Sequence, residues 1–152
     1  MIPSTVFSFL EVSAVSFPNK TALIFKGKKT TYQKLLTDSL GAAAFFASRV
    51  KKNESIGIFM ENSPEWLMAY FGIVASGATC VPLSLRSSDE NLVSQISLAN
   101  IRLVVISKKF ISRWKNLLKE CKNPPTIIIP DQISLSRIKI VKFKSRLTEF
   151  PL

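Results

Sequence analysis

The stretch "NSPEWLMAYFGIVASGATCVPLSL", residues 62–85, decides how this chain is read. From Trp66 to Leu85 no side chain is charged, and about 20 apolar residues suffice to cross a bilayer. A spanning helix would be continuous, whereas this run is punctuated. Ser63 offers an N-cap hydroxyl, Pro64 sits where its missing N–H does no harm, and Glu65 places an acid in the first turn. Gly77 falls about three turns later, where a left-handed residue closes a helix. Thr79, Cys80 and Val81 then suit a strand, and Pro82 ends that strand or marks it as a sheet edge. The run therefore divides into a buried helix of about 13 residues and a short buried strand, both within ordinary lengths. Its apolarity is met by protein, not by lipid.

Working outward, the same alternation continues on both sides. Residues 4–17 predict an amphipathic helix with Val6, Leu10, Ala14 and Phe17 at helical spacing, closed by Pro18-Asn19. Residues 22–25 and 28–32 flank Lys26-Gly27 as a β-hairpin. Thr31 caps a long helix running to Val50, with a core stripe of Leu36, Leu40, Ala43, Ala47 and Val50. Residues 55–60 form a strand. After the opening stretch, Ser87-x-x-Glu90 reads as a capping box, and its helix carries Leu92, Ile96 and Ala99 and stops at Asn100. Residues 102–107 are a buried strand. Phe110, Trp114, Leu117 and Cys121 stripe one more helix, and "PPTIIIP", residues 124–130, supplies a last strand.

The fold class that follows is α/β: a mostly parallel sheet with right-handed crossover helices, preceded by an amphipathic helix and a hairpin. Residues 1–130 read as one α/β segment. Residues 131–152, with alternating Ile, Val and Lys, read as a half-exposed strand or a loosely held tail. Trp66, Tyr70 and Ile73 should face the core from the helix between Ser63 and Gly77.

Composition narrows the function. Hydrophobic residues make up 47% of 152, enough for a core. Net charge is +11, from 21 Lys and Arg against 10 Asp and Glu, which invites a nucleic-acid reading. The cations are dispersed, however, among Lys26, Lys28 and Lys29; Lys51 and Lys52; Lys108 and Lys109; Lys139, Lys142 and Lys144. No nucleic-acid motif accompanies them, so a solvated surface is the simpler account. Histidine is absent, which removes a Ser-His-Asp triad, Cys-His chemistry and His-containing metal sites. Cys80 and Cys121 are too few for a structural zinc site. Their apolar settings, and an N-terminus with no basic region and with Glu11 interrupting the apolar run, point to a reducing, cytoplasmic compartment.

Ligands of α/β sheets bind at the carboxyl ends of the strands. None of the five glycines belongs to a phosphate-binding motif. Gly57 and Gly72 fall inside a strand and a helix, where close packing explains them. Glu61 follows a strand directly and either faces a ligand or solvates the next turn. Glu61 and Asp131 each stand alone, and no catalytic pair or metal cluster emerges. Arg86 follows the strand ending at Pro82 and precedes a helix start. It is either an exposed loop arginine or, with that helix N-terminus, a phosphate contact.

The order of these motifs resembles a known family. "TALIFKGKKTTYQKLL", residues 21–36, followed by "IGIFMENSPEWLMAYFGIVASGATCVPLSLRSSDENLVSQISLANIRLVVIS", residues 56–107, is similar to the amino-terminal part of adenylate-forming enzymes: acyl-CoA synthetases, aryl-CoA ligases and peptide-synthetase adenylation domains. The resemblance covers roughly residues 4–130. It departs at Thr31-Tyr32-Gln33-Lys34-Leu35, where a family glutamate is replaced; at Lys52-Asn53-Glu54, for a common Gly-Asp; and at Pro82-Leu83-Ser84-Leu85, for Pro-Leu-Asn-Pro.

The resemblance implies activation of a carboxylic acid with ATP, Mg2+ and a thiol acceptor, CoA or a carrier protein. It also implies a role for Arg86 at the phosphorylated end of CoA. The family's Ser/Thr-Gly-rich phosphate loop and catalytic lysine have no counterpart in these 152 residues. The expectation is therefore a ligase segment that binds no cofactor alone and works with a remainder encoded elsewhere, or one that has lost it. As a piece of a larger domain it should leave one sheet face uncovered. The competing expectation is a non-catalytic basic α/β module that binds protein or nucleic acid.

Overall fold

The computed structural model describes residues 5–135. In chain order the elements are α1 (Val6–Ser16), the hairpin β1 (Thr21–Phe25) and β2 (Lys28–Thr31), α2 (Tyr32–Ala47), β3 (Ser55–Phe59), α3 (Pro64–Ala75) and β4 (Thr79–Pro82). There follow α4 (Asp89–Leu98), β5 (Ile101–Ile106), α5 (Ile111–Leu117), β6 (Thr126–Ile128) and α6 (Pro130–Leu135). Short 3-10 turns flank α5 on both sides.

The opening stretch folds as its punctuation requires. Ser63 Oγ accepts from the Trp66 N–H at 3.2 Å, Pro64 begins the helix, and Gly77 takes φ +82° just past its end. No helix among the described residues is long and apolar enough to cross a membrane. Ile73 is fully buried in the core, while Trp66 and Tyr70 are only partly buried, stacked on each other at 5.4 Å against its margin.

Four parallel strands form one sheet in the order β4-β3-β5-β6. From β3 the chain moves to one side through α3, then returns past β3 through α4 to β5, and continues through α5 to β6. A constant right-handed crossover demands that α3 and α4 lie on opposite faces, and they do. One face packs Ile56, Ile58, Leu103, Val105 and Ile128 against residues of α2, α3 and α6. The other packs Phe59, Val104 and Ile106 against Leu92 and Ile96 of α4 and Trp114 and Leu117 of α5. Pro82 lies on the edge strand, where its missing N–H costs no ladder bond.

Five expectations need correction. Both faces of the sheet are covered, so the uncovered apolar surface lies elsewhere. On α1, Leu10 and Ala14 are buried as expected, but Phe7 joins them, while Val6 and Phe17 are 51% and 56% exposed. On α2 the fully buried residues are Leu35, Ser39, Ala42–Ala44, Phe45 and Phe46. A one-face stripe fails because α2 is buried on two sides: Ala42, Phe45 and Phe46 meet the sheet layer, and Leu35, Leu36 and Leu40 meet α1. The cap of α4 is Ser88, whose Oγ accepts from the Asn91 N–H, not Ser87. Residues 131–135 are helix, not strand or loose tail, and Ile133 is 3% exposed in the main core. The remainder of that segment, 136–152, lies outside the described residues.

Candidate functional site

In this order β3 is the first strand laid down, and its neighbours β4 and β5 lie on opposite sides of it. The chain reverses direction between β3 and β5, which makes their carboxyl ends the topological switch point where α/β proteins bind ligands. Three side chains meet there. Ser107, just after β5, donates its hydroxyl to Glu61 Oε2 at 2.6 Å, and the Lys109 ammonium pairs with Glu61 Oε1. Together the Lys109 and Ser107 contacts hold the Glu61 carboxyl down from its ordinary value of 4.5 to about 2. Beside them Lys108 reaches Asp131 at the start of α6, 2.5 Å away. Glu61 and Asp131, which stand alone in the sequence, are thus both paired in space.

Two open hollows flank this tie. One, of about 450 Å³, is bounded by Lys26 in the hairpin turn, Met60, Asn62, Ser63 and Lys108. The other, of about 560 Å³, lies between Met60, Trp66, Pro82 and Leu85. Their mixed lining suits a polar small molecule with an apolar arm.

Arg86 lies in the turn after β4, where its backbone N–H donates to Ser84 Oγ at 3.2 Å. The residue is exposed, and among the described residues its guanidinium forms no ion pair. The α4 N-terminus behind it is already supplied with anions. Asp89 and Glu90 occupy its first turn, and Glu90's own backbone N–H, with the Ser88 hydroxyl, holds the Glu90 carboxyl below its ordinary value. The positive potential expected there is largely answered, so any phosphate contact rests on Arg86 itself. Arg113, which belongs to no sequence motif, binds this turn to α5. Its Nε donates to Asp89 Oδ1 at 2.8 Å and its Nη2 to the Ser87 carbonyl at 2.7 Å, and its guanidinium lies 5.3 Å from the Phe59 ring centroid.

Ser107, Lys108 and Lys109 likewise belong to no sequence motif. Their one signal was position: "SKKF" directly follows a buried strand. Cys80 and Cys121 are free thiols. Burial pushes Cys80 up to about 12, which makes it a poor nucleophile.

At the switch point the described residues are paired with one another. No group of three carboxylate, thiol or imidazole side chains is placed to hold a metal among them. The lysines at the switch point are spent on carboxylates, and the α3 N-terminus carries its own cap and acid.

The family model described as AMP-binding enzyme matches residues 10–149. A long-chain-fatty-acid–CoA ligase of Bacillus subtilis is 29% identical over 136 residues, covering 89% of this chain and 23% of that one. A crotonobetaine/carnitine–CoA ligase of Citrobacter koseri is 28% identical over 110 residues, covering 68% of this chain and 21% of that one. The chain thus spans under a quarter of the length of these two relatives. In fold it is similar to the O-succinylbenzoate coenzyme A synthetase of Bacillus subtilis, solved with ATP and magnesium. The TM-score is 0.72 at 20% identity, covering 84% of this chain and 34% of that one.

Proposed function

The chain belongs to the AMP-binding enzyme family, and from that premise we propose that it forms the amino-terminal wall of an acid–thiol ligase. Such a ligase activates a carboxylic acid as its adenylate and passes the acyl group to CoA or a carrier-protein thiol. The observation that carries this reading is the family match across residues 10–149, which takes in the sheet, its switch point and the Arg86 turn. No step at ATP is assigned to the described residues. Their part is to build the hollow beside the β3 and β5 ends and to present Arg86 to the phosphorylated end of CoA. The phosphate loop comes from a remainder that acts with this chain in the cytoplasm, encoded with it or separately.

ATP–pyrophosphate exchange tests this reading. The purified 152-residue chain, offered fatty and aromatic acids, should show no exchange, because preorganised donors for the triphosphate are missing. Joined to the phosphate-loop-bearing remainder of a related ligase, it should restore exchange. Exchange by the chain alone would remove the need for a remainder. Failure of the joined protein to exchange while folding normally would sink the ligase reading itself.

A further inference from the structure

The apolar surface that the sheet does not expose is found on α1. Its inward side is Phe7, Leu10 and Ala14. Its outward side carries Val6, Phe9, Val12 and Val15, exposed by 51%, 61%, 38% and 80%. With helical spacing these four sweep about half the circumference, and only serines lie between them. Two of those serines are not free to face water as donors: Ser8 Oγ bonds the Thr5 carbonyl at 2.7 Å, and Ser13 Oγ bonds the Phe9 carbonyl at 2.8 Å. The outward half of α1 therefore has no charge, and these two hydroxyl donors are satisfied within the helix.

One acid, Glu11, borders this face on α1 itself, and the chain that follows is cationic. Between Glu11 and Asp38 the chain has five lysines and no acid. Lys20 lies 5.3 Å from the ring centroid of exposed Phe17 at the end of α1. The hairpin that follows packs Ala22 against the same small core as Phe7 and Leu10. It presents Lys26, Lys28, Lys29 and a 63% exposed Ile24.

We propose that α1 and the β1–β2 hairpin form a docking surface for an anionic lipid bilayer, with the α1 valines and Phe9 entering the headgroup boundary and the lysines meeting lipid phosphates. An interfacial helix combines an apolar face with flanking cations and lies in the plane of the membrane. A second copy of this chain is disfavoured as occupant, since both surfaces would bring the same positive field from a chain of net charge +11. A protein groove needs a helix it can enclose, and α1 offers only the half that α2 and α3 leave free. A bilayer needs only that half. Lys26 also borders the hollow beside the switch point, but the exposed apolar residues of α1 do not line it, so the ligase reading stands or falls without this proposal.

Flotation with vesicles tests the proposal, using phosphatidylcholine alone and phosphatidylcholine mixed with about equal phosphatidylglycerol. The 152-residue chain should float with the anionic vesicles at least about tenfold more than with the neutral ones, because each lysine near an anionic surface adds attraction. Raising salt from about 0.1 M to about 1 M should release it, since screening shortens from about 10 Å to about 3 Å. A variant carrying Val6→Ser, Phe9→Ser and Val15→Ser alters only exposed positions and should lose flotation while keeping its circular dichroism. Phe9→Trp gives a second readout: brominated lipids should quench its fluorescence beyond that of the native chain. No flotation with anionic vesicles at low salt, equal flotation of the triple-serine variant, or no added quenching at position 9 would each overturn the proposal.

Discussion

At the scale of single residues, Glu61 and Gly72 show how far a local reading reaches. Glu61 could be placed at a strand end from the sequence, but its partners Ser107 and Lys109 are 46 and 48 positions away and only the sheet brings them to it. Because its folded pKa is depressed from 4.5 to about 2, the stability it contributes is present above about pH 4.5 and is lost as pH falls through about 2. Glu61→Gln should therefore flatten the acid limb of a denaturation-versus-pH series between those values. At neutral pH it should cost no more than about 1 kcal/mol, because the pair is partly solvated. An unchanged acid limb would mean that the contact does not form in solution. Gly72 is decided by contact: a Cβ there would sit 2.5 Å from the Ala42 Cβ. Gly72→Ala should destabilise by about 2 kcal/mol in urea unfolding, against the gain in helix propensity, because α2 and α3 would have to part.

Among elements, the turns were the most legible, because their chemistry is local. The hairpin turn places both Lys26 and Gly27 at positive φ, +48° and +77°, the two-residue geometry that matches strand twist. Glycine tolerates this, whereas lysine is strained by about 1 kcal/mol. Lys26→Asn should accordingly raise thermal stability by about 0.5–1 kcal/mol, and a lower melting temperature would show that Lys26 contributes through its contact over Phe25. The helix α3 was legible at both ends from Ser63, Pro64 and Gly77. The face of α2 was not, because periodicity records that residues are apolar, not how many neighbours will cover them. Ile73 lies at the centre of the α3 packing with no exposed surface. Ile73→Asp should abolish the cooperative urea transition, since an unpaired buried charge costs several kcal/mol, comparable to a small domain's whole stability.

For the whole molecule, the role proposed for Arg86 at a CoA phosphate has a kinetic signature. In a complete or reassembled ligase, Arg86→Ala should raise the KM for CoA by more than that for ATP, by about 1–2 kcal/mol, as befits a solvent-screened phosphate contact. Equal effects on both, or none on CoA, would return Arg86 to the surface. The sequence by itself determined the α/β alternation, the division of residues 62–85 into helix and strand, and the family. These depend on spacing, caps and breakers that act within about a turn of the chain. Only the tertiary structure decided which side chains meet. The reversal of strand order between β3 and β5 joins Glu61 to Ser107 and Lys109. The crossover at α4 lets Arg113 grip the turn beside Arg86. Packing of α1 on one side leaves Val6, Phe9, Val12 and Val15 outside. Each of these depends on which distant element arrives alongside, and pairing across tens of residues leaves no periodic trace in a single chain.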